Sequence, residues 1–261
     1  DFVVALGRHS QMAAIAHDLL DAGYPFLMEK PMGISAAEVD AVADKAAKLN
    51  VFVAVPLAQR YAPFATRARE LLAAGRLGPL SHFYMRLNRP GPARYPGWDC
   101  AWMLDPAEAG GGCLRNLGPH GLDMFLHLTG EEAHVTGAQL SARSHGHAVE
   151  DYATVMLRSA SGTLGTVEVG NGFPRDGTDG EWKLAGRDGI LTMKDGVLKL
   201  ATAAGDEMLP GTDVTAPYFT TLRDALDHWR NGKAAPIGVR DCARVVRLID
   251  QAYALAGKSA P

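Results

Sequence analysis

No stretch of this chain is apolar for long enough to cross a bilayer; its longest apolar runs have the length of a single strand. Nor does a charged segment followed by an apolar one open it at Asp1, so neither export nor membrane insertion is expected, and the cytoplasm is the expected location. Cysteine is scarce. Cys100, Cys113 and Cys242 are odd in number, far apart and without a CxxC pair, which argues against a disulfide framework and against a thiolate metal site. An excess of one charge is missing too: 26 Lys and Arg stand against 29 Asp and Glu. The formal net charge of -3 gives no electrostatic reason for nucleic acid or an anionic membrane as partner. A small molecule is the expected partner. Internal repeats and low-complexity segments are also absent.

What is present is a chain of 261 residues, enough to bury a full core in two unequal domains. Residues 2 to 6 (FVVAL) form a short apolar run, and Gln11 to Ala22 repeat apolar residues at helical spacing until Gly23. Phe26 to Met28 is a second apolar run. Ser35 then caps a helix carrying Val39, Val42, Ala46 and Leu49, with Glu38 placed to complete a capping box, and Val51 to Val55 is a third strand. This β-α-β-α-β order, with continuous apolar strands, predicts a parallel sheet buried on both faces, half of a doubly wound α/β domain over residues 1–56.

After Pro56 the pattern changes. A helix is expected from about Pro63 to Ala74, a strand around His82 to Leu87, and an irregular stretch rich in Gly, Pro, Arg and Trp from Asn88 to Trp98. The glycine run Gly110 to Gly112 opens a helix through about Leu128. Six strand-like segments follow, at Val135 to Ala142, Tyr152 to Arg158, Thr163 to Val169, Trp182 to Ala185, Ile190 to Met193 and Val197 to Leu200. Two amphipathic helices, near Phe219 to Asn231 and Asp241 to Ala256, close the chain. Residues 57–261 therefore read as an α+β domain with a mostly antiparallel sheet, helices on one face, and the other face apolar, uncovered and thus expected to pair with a second subunit.

Two segments carry chemistry. Glu29-Lys30-Pro31 ends the second strand, and ligands of open parallel sheets bind beyond the carboxyl ends of the strands, so Lys30 is placed to meet a substrate; a solvated lysine at a strand end is the plainer alternative. In Gly110 to Asp123, helical spacing puts Asn116 beside His120 with Asp123 close by, a positioned imidazole suited to proton transfer near neutral pH. A structural helical histidine is the alternative there.

Glu29-Lys30-Pro31 resembles the EKP signature of the Gfo/Idh/MocA oxidoreductases, and Gly110 to Asp123 resembles their GGGxLxDxGxHxxD signature at similar separation. Residues 1–31, Gln59-Arg60-Tyr61 with Pro63, Glu150-Asp151-Tyr152 to Val169, and Phe219 to Ala256 resemble further parts of the same family. The resemblance implies an enzyme that moves hydride between NAD or NADP and a hydroxyl carbon of a sugar, cyclitol or related small molecule. His120 would be the base, Lys30 the cation beside the developing alkoxide, and Asn116 the residue orienting His120. It further implies cofactor contacts from Gly7, Arg8, His9, Glu29, Lys30 and Pro31, and a substrate pocket lined by Lys30, Arg60, Tyr61, Arg94, Trp98, Asp123 and His120. Residues 1–56 would be part of a Rossmann domain, and the C-terminal sheet would join subunits of a homo-oligomer.

Three departures from the family pattern stand out. Asn116 replaces the usual Asp and cannot favour an imidazolium by charge. Gly7-Arg8-His9-Ser10-Gln11-Met12 stands where a TPxxxH-like turn is common. No GxGxxG and no ribose-binding acid occur, so the front half of the nucleotide domain is expected to lie outside this sequence, and the choice between NAD and NADP with it. A metal site is the rival reading of His120, Asp123 and His127, and ranks below proton transfer because three ligands on one helix rarely converge; His145 and His147 near Glu150 and Asp151 are a second possible ligand group, for which a polar turn between strands is the simpler account. A non-catalytic sugar-binding or assembly module is the other rival.

Overall fold

The computed structural model describes residues 1–210 and 216–257. Strands β1 (Val3–Ala5), β2 (Phe26–Met28) and β3 (Val53–Ala54) form a parallel sheet in the order β1-β2-β3, linked by helices α1 (His9–Asp21) and α2 (Ala36–Leu49). Apolar side chains at helical spacing, Met12, Ala16 and Leu20 on α1 and Val39, Val42 and Ala46 on α2, are buried against Phe26, Met28 and Val53. At the start of α2 the Ser35 hydroxyl accepts the Glu38 N–H at 3.3 Å, as the sequence predicts. The return bond differs: the Glu38 carboxylate accepts the N–H of Ile34 at 2.8 Å, one residue before the cap.

Beyond a 3-10 turn at Ala58–Tyr61 come α3 (Pro63–Ala73), β4 (Leu80–Pro90), α4 (Arg94–Gly97), a 3-10 turn at Ala101–Leu104, α5 (Pro106–Ala109) and α6 (Cys113–Thr129). Strands β5 (Ala133–Ser141), β6 (Tyr152–Ser159), β7 (Leu164–Phe173), β8 (Asp179–Gly186), β9 (Gly189–Lys194), β10 (Val197–Thr202) and β11 (Gly205–Leu209) follow, and α7 (Ala216–Arg230) and α8 (Val239–Leu255) complete the described chain. The second sheet runs β11-β10-β9-β8-β4-β7-β6-β5, antiparallel except where β4 pairs parallel to β7. Thus β4 extends to Pro90, into the stretch expected to be irregular, and the edge strand β11, polar and exposed, has no apolar alternation to announce it.

One face of this sheet presents Phe83, Met85, Val155, Val167, Trp182 and Leu184 to the core shared with α3, α6 and α8. The other face corrects the expectation of an uncovered apolar surface. It is largely polar: Tyr84 and Tyr152 both donate to Glu168, and Arg86 donates to Asp179 at 2.9 Å, with Met156, Leu164 and Ile190 as scattered apolar residues. Helix α8 carries two apolar stripes. Val239, Cys242, Ala243 and Val246 pack with the parallel sheet, while Val245, Leu248, Ile249, Ala252 and Tyr253 join the core of the larger one. One helix therefore fixes both sheets.

The glycine run sets the start of α6. An ideal Cβ on Gly112 would lie 2.0 Å from the Glu150 carbonyl oxygen, so only glycine allows this backbone approach. The buried Glu150 carboxylate then accepts the N–H groups of Gly112 and Leu114 at 2.9 and 3.1 Å and the Tyr253 hydroxyl at 2.8 Å, capping the helix N-terminus with negative charge. Gly112→Ala is expected to lower the unfolding free energy by about 1–3 kcal/mol, measured by urea denaturation. A change below about 0.5 kcal/mol, within the range of an ordinary surface substitution, would contradict this packing.

Candidate active site

Lys30 leaves the parallel sheet just past the carboxyl end of β2. Its Nζ donates to the Asn116 backbone carbonyl at 2.7 Å and to Asn116 Oδ1 at 3.1 Å, joining β2 to the middle of α6. That carbonyl lies in the turn before Pro119, which has no N–H to give the Arg115 carbonyl and loosens the helical ladder there. The other end of the amide, Asn116 Nδ2, donates to Tyr95 Oη at 3.1 Å; Tyr95 Oη also accepts from Arg94 Nη2 at 2.9 Å. Burial draws the Lys30 pKa below its ordinary value, against the opposing pull of Glu29. Beside Lys30 opens a cavity of about 240 Å³, walled by Leu6, Gly7, Met12, Trp98, Trp102 and Met103.

His120 stands one helical turn beyond Asn116. Burial first, then the Lys30 and Arg89 cations, pull its pKa from 6.5 down to about 3, so the imidazole is neutral at neutral pH. Its Nδ1 is buried without a hydrogen-bond partner among the described residues.

Several expected neighbours are elsewhere. Asn116 does not orient His120, because both ends of its amide are taken by Lys30 and Tyr95. Asp123 and Arg60 are engaged with each other. The Arg60 guanidinium forks onto the buried Asp123 carboxylate at 2.9 and 2.6 Å and reaches Asp241 at 2.9 Å, a structural ion cluster between α6 and α8. With both Asp123 oxygens facing Arg60, the set His120, Asp123 and His127 does not converge on a common point. His145 Nε2–H donates to the Asn171 carbonyl at 3.0 Å, and the His145 backbone N–H to Asp151 at 2.8 Å, which ties down that second cluster as a loop anchor.

Tyr61 donates its hydroxyl to Asp224 on α7. Arg94 is held by the Pro90 and Gly91 carbonyls and by Asn171 Oδ1 at 2.7 Å, its guanidinium 4.3 Å from the Tyr95 ring centroid; Trp98 is 61% exposed at the mouth of the cavity. Arg8 pairs with Glu108 at 3.5 Å. His9 Nδ1–H donates to the Ala109 carbonyl at 2.8 Å, its ring edge-on to Trp102, so it braces the wall although it borders the cavity. Glu29 borders the cavity too, and the Pro31 carbonyl accepts the buried Cys242 thiol at 3.3 Å. The structure brings in residues that spacing did not single out, Tyr95, Trp102 and Asn171. Tyr95 and Trp102 lie in or just beyond the aromatic and basic stretch; Asn171, on β7, carried no such signal.

Burial also lowers the His9 pKa from 6.5 to about 3. The unfolded chain takes up this proton near pH 6.5 and the folded chain only near pH 3, so the contribution is full above 6.5 and is lost as pH falls through that window. Between pH 6.5 and 5 the loss from His9 amounts to roughly 2 kcal/mol. Urea unfolding at both pH values is expected to show a smaller loss for His9→Gln than for the wild-type chain; equal losses would remove His9 as a source.

The description GFO/IDH/MocA C-terminal domain matches residues 65–192. The chain is 29% identical over 176 residues to the rhizopine catabolism protein MocA of Rhizobium meliloti, covering 66% of this chain and 52% of that protein. It is 24% identical over 261 residues to the scyllo-inositol 2-dehydrogenase (NADP(+)) IolW of Bacillus subtilis (strain 168), covering 89% and 70%. The chain thus spans about half of the first relative's length and 70% of the second's. Among solved structures, GenD2 from gentamicin A biosynthesis in complex with NAD superposes with a TM-score of 0.84 at 25% identity, over 98% of this chain and 76% of that one. Over residues 65–192 the chain belongs to the Gfo/Idh/MocA family, and its fold superposes on that of GenD2 over nearly its whole length.

Proposed function

We propose that this chain forms the reacting end of an NAD(P)-dependent oxidoreductase that moves hydride between the nicotinamide and a hydroxyl carbon of a sugar, cyclitol or related small molecule. The observation that carries the reading is the Lys30 ammonium fixed on α6 one turn from a neutral, partly buried imidazole. Neutral His120 is in the state that accepts a hydroxyl proton, and Lys30 is a fixed cation for the charge growing on that oxygen. Asn116 and Tyr95 set the Lys30 position, which makes them positioning residues.

The cavity beside Lys30, with apolar and aromatic walls, suits a planar aromatic ring. It fits the nicotinamide end of the dinucleotide, which when bound supplies the hydride chemistry. The N-terminus of α1 is less suited to a phosphate: Ser10 donates to Glu108 at 2.9 Å and Arg8 pairs with the same carboxylate, so an acidic group already lies there. Arg8 and His9 accordingly drop from the cofactor contacts, and Gly7, Glu29, Lys30 and Pro31 remain. Residues 1–56 are taken as the nucleotide side and 57–261 as the substrate and assembly side, with the open sheet face joining subunits of a cytoplasmic homo-oligomer. Among the described residues no helix is long and apolar enough to span a membrane.

Titration of the chain with NADH and NADPH, followed by cofactor fluorescence, is expected to saturate. A screen of polyols with NAD+ and NADP+ is then expected to give turnover that His120→Ala lowers about 10²–10⁴-fold while cofactor affinity holds. Sugar binding with no dinucleotide binding would replace this reading with that of a binding module.

A further inference from the structure

Arg89 is the unmatched charge of the site. Among the described residues, the other buried or half-buried arginines Arg60, Arg67, Arg86, Arg115 and Arg244 each meet a carboxylate. Arg94 is satisfied instead by two carbonyls and an amide. Arg89 has neither. Its sole hydrogen bond among the described residues is to the Thr178 hydroxyl at 3.4 Å, the long end of the range.

Its place follows from the strand. Phe83 and Met85 point into the core under α6 and Leu87 packs against it, and Arg89 follows two residues on, where β4 ends and its register with β7 shifts between Asn88 and Pro90. Strand β4 runs parallel to β7 with Met85 level with Val167 and Leu87 with Val169. Val167 faces Gly121, and the Val169 carbonyl meets the Cys113 thiol, so the row climbs toward the N-terminal half of α6, where Asn116 and His120 stand. Arg89 is also close enough to act on His120 and on Tyr218 of α7. Glu29, the carboxylate that acts on Lys30 and on Tyr218, makes no ion pair with Arg89 among the described residues.

We propose that Arg89 recognises a carboxylate on the substrate, which makes the preferred substrate a sugar acid or another carboxylated polyol. The inference rests on the oxidoreductase reading for what happens next to that substrate, but the recognition stands on the unmatched guanidinium. A guanidinium fork pairs with a planar carboxylate through two parallel N–H bonds, a geometry a neutral hydroxyl cannot return. The bound carboxylate also completes the site electrically. Arg89 lowers the proton affinity of His120, so an anion on Arg89 offsets that field and makes His120 a better base only when the matching substrate is present.

Isothermal titration with D-glucuronate and D-gluconate against D-glucose and myo-inositol, all with saturating NADH present, tests this on the full chain. The acids are expected to bind at least about tenfold tighter than the neutral compounds, the worth of a charged hydrogen-bonded pair. Arg89→Gln is expected to shrink that ratio to within about threefold, and Arg89→Lys, which keeps the charge without the fork, to retain part of it. Equal binding of acids and neutral polyols, or a ratio unchanged in Arg89→Gln, overturns the proposal. Circular dichroism confirms that each variant is folded. If the acids bind selectively through Arg89 but NAD+ and NADP+ are not reduced in their presence, the oxidoreductase reading fails while the recognition site stands.

Discussion

The ammonium of Lys30 resting on Asn116 is the contact on which the rest of the site depends. Burying a lysine costs several kcal/mol unless its protons find acceptors, and here a mid-helix carbonyl and a side-chain amide supply them at 2.7 and 3.1 Å. The contact crosses from the parallel sheet to the helix that covers the larger sheet, so it holds only if both are placed correctly. Gly112 and Glu150 fix the start of α6, Pro119 loosens its middle, and α8 packs on both sheets at once. The proposed chemistry needs no further device to bring Lys30 and His120 together.

Much of this was legible in the residues. The β-α-β-α-β order could be read because strands buried on both faces are apolar throughout, and helical spacing gave α1, α2, α6 and α8 to within a few residues. The positions of Lys30 past a strand end and of His120 in the helix after a glycine run were legible too, while their roles belong to the proposal. The partner of Asn116 was not. Spacing of four residues brings two side chains onto one face but does not say which way an amide points when a lysine arrives from 86 residues away.

The same limit hid the pairing of Arg60 with Asp123, 63 residues apart, which turned two expected pocket residues into an ion cluster. The open sheet face was misread for a different reason. Its alternate positions carry Tyr84, Arg86, Tyr152 and Glu168, whose polarity is plain in the sequence, but an uncovered face was assumed to be apolar.

Electrostatically the site is a positive corner with a neutral imidazole in it, and the central claim is that the Lys30 charge helps hold His120 neutral. An NMR titration of the His120 imidazole between pH 7.5 and 4, in the wild-type chain and in Lys30→Met, tests this most directly. The account predicts that His120 stays neutral well below pH 6.5 in the wild-type chain and that its midpoint rises when the Lys30 charge is removed. A wild-type midpoint near 6.5 that does not move in Lys30→Met would contradict it.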